Sequence, residues 1–111
     1  MISNMVAWKD VTPDVFPGHL SYSCLDEHAG CQNGCCAGLS IYSSIEFQKL
    51  GSHYDQECFF VLEGSGELLN GDTVYPLVPG VFFLVAPGNP HTIRALSSEE
   101  PVRVIWFHAA I

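Results

Sequence analysis

From residue 37 to the C-terminus, short apolar and β-branched runs alternate with Gly, Pro and Asn, and no stretch sustains a helical period of 3.6. Such a segment buries its apolar residues as sheet. The sharpest local signal is Asn70-Gly71, set between Gly66-Glu-Leu-Leu and Asp72-Thr-Val-Tyr. That pair supplies the two positive-φ positions of a type I′ turn, so residues 65 to 77 are predicted to form a hairpin. Val78-Pro79-Gly80 turns the chain into Val81-Phe-Phe-Leu-Val85, and Pro87-Gly88-Asn89-Pro90 turns it again before His91-Thr-Ile-Arg-Ala-Leu96. A polar loop, Ser97-Ser-Glu-Glu-Pro101, precedes a last strand over Val102 to His108. Many short strands at this spacing define an all-β sandwich or small barrel.

The N-terminal third is less patterned. Trp8 to Asp14 reads as a strand or an extended arm, His19 to Leu25 alternates weakly, and residues 26 to 36 have the Gly and polar content of a loop. At 111 residues the chain is one domain, with residues 1–36 as an arm and Cys-rich loop and residues 37–111 as the barrel core.

Charged residues make up only 14% of the chain against 48% hydrophobic ones. So little charge leaves apolar surface to cover, which points to a homodimer. A net charge of -8 repels phosphate backbones and anionic headgroups, so neither nucleic acid nor membrane is expected as a partner. The first residues show no basic segment followed by a long apolar core, and no apolar run is of membrane-spanning length. Five cysteines, an odd count without a secretion signal, argue for reduced thiols or metal ligands in a cytoplasmic protein.

His53, Glu57 and His91 are the candidate site: two imidazoles and one carboxylate form the ligand set of a facial metal centre. On one straight strand His53 and Glu57 would lie ~13 Å apart, too far for two ligands each ~2 Å from one ion. A helix is disfavoured by Phe59-Phe60-Val61-Leu62 beside Gly64 and Gly66. The remaining solution is a bend, with His53 ending one strand, Tyr54-Asp55-Gln56 turning, and Glu57 opening the next. His91 follows a Pro-Gly-Asn-Pro turn and begins a strand, which lets all three converge at one barrel rim.

These residues resemble the two motifs of the cupin superfamily. The first motif, Gly-x5-His-x-His-x3-Glu-x6-Gly, places its second His, its Glu and its final Gly on His53, Glu57 and Gly64. The second, Gly-x5-Pro-x-Gly-x2-His-x3-Asn, places its first Gly, second Gly and His on Gly80, Gly88 and His91. The chain departs at four positions, with Gly51 for the first metal-binding His, Ile45 for the leading Gly, Ala86 for the Pro and Ala95 for the closing Asn. The resemblance covers roughly residues 37 to 108. It implies a single-domain cupin-type antiparallel β-barrel or jelly roll that holds a divalent transition metal on three protein ligands. Imidazole and carboxylate suit Fe, Mn, Ni, Co, Zn and Cu alike. Tyr42 and Tyr54 are candidates for proton transfer.

Cys24, His28, Cys31, Cys35 and Cys36 fall within thirteen residues. Thiolates and an imidazole in a Gly-containing loop fit a second, structural metal site, yet the spacing lacks paired Cys-x2-Cys knuckles. Small buried hydrophobes and redox-reactive thiols are the alternatives, as is a loop that lends a thiolate or His28 in place of the ligand missing at Gly51. Cys58, His19 and His108 carry no partner signal. Cys58 is assigned to the core, and the two histidines to strand ends or loops. Arg94, an odd number of residues from His91, is expected to face away from the site. Three functions remain open. One is a metal-binding cupin that binds and transforms a small molecule by dioxygenase, lyase or isomerase chemistry; the second is a non-catalytic ligand-binding or sensing module with a vestigial site; the third uses the apolar surface only for assembly.

Overall fold

The computed structural model describes residues 4–111. Among the described residues nine strands form two antiparallel sheets: β1 (Asp14–Phe16), β2 (His19–Leu25), β3 (Cys36–Tyr42), β4 (Glu57–Glu63), β5 (Gly66–Asn70), β6 (Thr73–Leu77), β7 (Phe82–Val85), β8 (His91–Ala95) and β9 (Val102–His108). The larger sheet has the order β1-β2-β3-β9-β4-β7 and the smaller one β6-β5-β8. Together they pack as a jelly roll. Among the described residues no helix is long and apolar enough to cross a membrane.

Alternation along the strands builds the core. β4 points Glu57, Phe59 and Val61 inward, and β9 does the same with Val102, Val104 and Trp106. These meet Leu68 and Leu77 from the hairpin and Ile93 and Ala95 from β8. Val61, Val85, Val102 and Val104 are fully buried. Each such side chain contributes about 1.5–3 kcal/mol over its exposed state.

The predicted hairpin is present as β5 and β6, paired from Gly66↔Leu77 to Asn70↔Thr73. Its turn sits one residue later than the Asn-Gly signal suggested. Asn70 stays in the ladder, and Gly71 at φ 65° opens the loop as the one positive-φ position. That is the pattern of a type II′ turn rather than type I′.

The N-terminal third contributes more than an arm. Trp8–Asp10 is a short 3-10 helix, and β1 and β2 extend the larger sheet through the pairing of β2 with β3. Weak alternation in His19 to Leu25 reflects partial burial at every position, which leaves no dry face to mark the period. Residues 26 to 35 form the expected loop, with one 3-10 turn at Glu27–Ala29 capped by the Asp26 side chain on His28 N, while Cys36 already opens β3. Cys58 is not core. It points away from Glu57, as strand parity requires, but that outer face is open and the residue is exposed.

Candidate metal centre

Glu57 is the first residue of β4, its side chain buried on the inner face at 7% exposure. His53 does not end a strand as expected but lies in the loop before β4, separated from Glu57 by a bend at Tyr54 and Asp55. That bend returns the imidazole to the carboxylate, with His53 Nε2 3.0 Å from Glu57 Oε1. His91 opens β8, and its Nε2 lies 3.5 Å from the same oxygen. His108, the last residue of β9, is the direct cross-strand partner of Glu57, and its Nε2 lies 3.0 Å from Oε2. His53, Glu57 and His108 bring ligand atoms within 4.8 Å of one another. His91 is not part of that group and approaches it only at Glu57 Oε1.

The hydrogen bonds behind the rings fix which nitrogen each one presents. His53 Nδ1 donates to the Asp55 carbonyl at 2.8 Å and His91 Nδ1 to the Asn89 carbonyl at 3.1 Å. His108 Nδ1 donates to Asp55 Oδ2 at 2.8 Å. Oxygens of this kind only accept, so each Nδ1 carries the proton. In the neutral ring each Nε2 then presents a lone pair to the Glu57 carboxylate, an acceptor facing acceptors. Only a proton or a cation between them makes this arrangement favourable. Imidazoles anchored at one nitrogen and converging on a carboxylate with the other are the pattern of metal ligands held by outer hydrogen bonds.

Electrostatics agree with this geometry. Burial disfavours the imidazolium of His91, but its bonds to Glu57 and the Asn89 carbonyl outweigh that and raise its pKa above 6.5. Burial also opposes the Asp55 carboxylate, yet the His108 bond and the charges of His108 and His53 hold its pKa below the usual value.

The centre opens into a cavity of about 650 Å³ between the sheets. Its wall includes His19, stacked between Phe16 and Tyr42 at centroid distances of 4.9 and 4.6 Å. Ser21 and Ser40 add hydroxyls. Burial, reinforced by the Glu57 charge, pushes the Tyr42 hydroxyl far above its ordinary pKa. Tyr54, the other tyrosine expected near the site, is 97% exposed and lies outside it. Arg94 turns away from the cavity as expected, paired with Glu67 and the Ile45 carbonyl.

His108 closes β9, at the strand end expected, but it has partners on both ring nitrogens that sequence reasoning missed. The signal was there: Trp106 and His108 share strand parity, so a core-facing Trp106 sends His108 inward too. Asp55, read as part of a turn, is the second omission. His19 opens β2, at the strand end expected, but it also lines the cavity.

In the cysteine-rich segment burial and the neighbouring Cys35 raise the pKa of Cys31, and Cys24 Sγ contacts the Tyr22 carbonyl at 3.4 Å. Cys36 faces His108 across the β3–β9 ladder. Burial and the charge of Asp55 raise its pKa, with Cys35, Glu57 and Cys31 adding to the shift. Among the described residues, Cys24, His28, Cys31, Cys35 and Cys36 form no group of three converging ligand atoms.

Residues 47–108 match the family model for the cupin domain. The chain belongs to the cupin family. No curated protein matches the sequence. Among solved structures, the Cnp3 cupin domain of Schizosaccharomyces pombe superposes with a TM-score of 0.78 at 18% identity, over 95% of this chain and 72% of that one. The polyketide cyclase RemF from Streptomyces resistomycificus gives 0.80 at 18% identity, over 94% and 77%. A variant of salicylate 1,2-dioxygenase from Pseudoaminobacter salicylatoxidans gives 0.72 at 18% identity, over 85% of this chain and 27% of that chain. At these identities the likeness is one of fold.

Proposed function

We propose that this cupin binds a divalent transition metal at His53, Glu57 and His91 and uses it to hold and transform a small molecule in the adjoining cavity. The observation that carries the proposal is the orientation of the rings, each with its Nδ1 proton committed outward and its Nε2 turned to the Glu57 carboxylate. A metal held there would supply Lewis-acid polarisation of a substrate carbonyl or hydroxyl, or, as Fe(II), dioxygen chemistry. Glu57 serves as ligand rather than free base. Tyr42 keeps its proton at any working pH, so it donates a hydrogen bond to a substrate oxygen and does not abstract a proton. A polyketide cyclase and a salicylate dioxygenase share the fold, which fits dioxygenase, lyase or isomerase chemistry.

Elemental analysis of protein purified without added metal, beside His53→Ala and Glu57→Gln variants, tests this. Stoichiometric metal lost in both variants supports the proposal, and no metal under any loading condition rejects it. Metal present without any turnover would instead favour a ligand-binding or sensing module.

The outer face of the larger sheet supports a homodimer. Cys58, Phe60, Leu62, Phe82, Leu84, Ile105 and Phe107 lie on neighbouring strands, and all but the half-buried Phe60 are exposed. Phe82 is 77% exposed and its ring lies 4.6 Å from that of Phe60. None of these side chains is charged. On a chain of net charge -8, an uncharged face lets two copies meet without placing carboxylates together.

A further inference from the structure

We infer that His108 is a fourth protein ligand, supplied by the last strand in place of the histidine missing at position 51, and that substrate reaches the metal over Gly51. The inference rests on the metal-binding proposal above. His108 meets the same condition as His53 and His91. Its Nδ1 proton goes to Asp55 at 2.8 Å, and its Nε2 faces Glu57 Oε2 at 3.0 Å. Placement follows from the sheet rather than from a loop, because His108 and Glu57 are paired residues on the adjacent strands β9 and β4. Glu57 is thereby flanked by imidazoles on both oxygens, His53 and His91 at Oε1 and His108 at Oε2.

Position 51 has become the open side. Gly51 is bridged to His91 by two backbone hydrogen bonds, of 2.9 and 3.2 Å, so it sits beside a ligand. A Cβ built there would meet nothing within 4 Å. Gly51 lines the same cavity as His53, Glu57, His91 and His108. A histidine at 51 would project into this space, whereas glycine leaves it free for a molecule approaching the metal. The nearby wall offers the aromatic stack of Phe16, His19 and Tyr42, hydroxyls from Ser21, Ser40 and Tyr42, and one cation, Lys49. This suits a small oxygenated molecule that is neutral or carries one negative charge, with an oxygen directed at the metal.

The test uses the full chain loaded with Co(II) or Cu(II). Affinity is measured by competition with a chelator, imidazole nitrogens are counted by electron paramagnetic resonance of the Cu(II) form, and azide is titrated into the Co(II) form. His108→Ala and His108→Gln are expected to weaken Co(II) binding at least about tenfold, the smallest effect usual for disturbing such a site. One coupled nitrogen should disappear from the Cu(II) spectrum. Adding Gly51→His to either variant should restore both the affinity and the nitrogen count. Gly51→His alone should retain metal but weaken azide binding. Wild-type affinity and an unchanged spectrum in both His108 variants would overturn the ligand assignment, and unchanged azide binding in Gly51→His would overturn the access route. Should His53→Ala also keep wild-type affinity, the metal-binding proposal itself fails; if only the His108 variants keep it, that proposal stands with three ligands.

Discussion

Asp55 Oδ2 lies 2.8 Å from His108 Nδ1, across fifty-three positions of sequence, while its Oδ1 lies 3.0 Å from His53 Nδ1. Asp55 therefore orients two imidazoles, His108 through its carboxylate and His53 through its backbone carbonyl, with Oδ1 close beside. Asp55→Ala should lower metal affinity about 10- to 100-fold, as loss of an orienting partner usually does. Asp55→Asn, which keeps one acceptor oxygen but turns an amide NH2 toward the other ring, should fall between the two. Chelator competition on both variants reads this directly, and equal affinities across the three proteins would contradict it.

His19 gives a pH signature. Burial between Phe16 and Tyr42 lowers its pKa from 6.5, partly offset by the hydrogen bond involving the Pro17 backbone. Because the folded value is the lower one, the unfolded chain takes up the proton first as pH falls. Stability is therefore intact above about 6.5 and is lost progressively down to the folded pKa. His19→Phe keeps the ring stack and removes the titration. The stability of that variant relative to wild type should rise between pH 7.5 and pH 5, measured by urea unfolding. Parallel curves would show that His19 does not contribute.

Gly38 is fixed by close approach. It pairs with Trp106 across the β3–β9 ladder, and a Cβ there would sit 2.4 Å from Trp106 Cζ2 and 2.1 Å from the Tyr22 carbonyl oxygen. Neither neighbour is a flexible chain end. Gly38→Ala should destabilise the fold by about 1–3 kcal/mol, the usual range for overpacking. The urea midpoint and the Trp106 emission should shift together. A variant as stable as wild type would mean that the indole has room to move.

Phe82→Asp tests the dimer. The residue is exposed on an edge strand of the larger sheet, so the substitution leaves the core untouched. Sedimentation velocity should show a dimer for wild type and a monomer for the variant, with equal far-ultraviolet circular dichroism and metal content. A variant that sediments like wild type would remove this face from consideration.

Much of the architecture was legible because strands and turns leave local marks. The hairpin over residues 65 to 77, the run Val81 to Val85 and the last strand each lie where apolar alternation and turn residues put them. The turn shifted by one residue because Asn70 completes the ladder opposite both Thr73 and His91, pairings made by other segments. β1 and β2 were harder to read. Their residues are partly or fully exposed throughout, so their place is set by hydrogen bonds to β3 rather than by a buried face.

The site divides along the same line. His53, Glu57 and His91 were visible as residue types at informative spacing, and the bend between His53 and Glu57 followed from strand geometry. His108 and Asp55 were not, because what joins them to the centre is strand pairing and a return of the chain. The sequence by itself determined an all-β chain with Glu57 and His91 opening strands and a bend ahead of Glu57, since those choices are local. Tertiary structure alone decided that β9 would lie beside β4, which sets His108 opposite Glu57 and leaves the space at Gly51 open to the cavity. The reason is physical: a side chain's face is fixed by parity within a strand, but its neighbour across the ladder is fixed by which strand comes alongside.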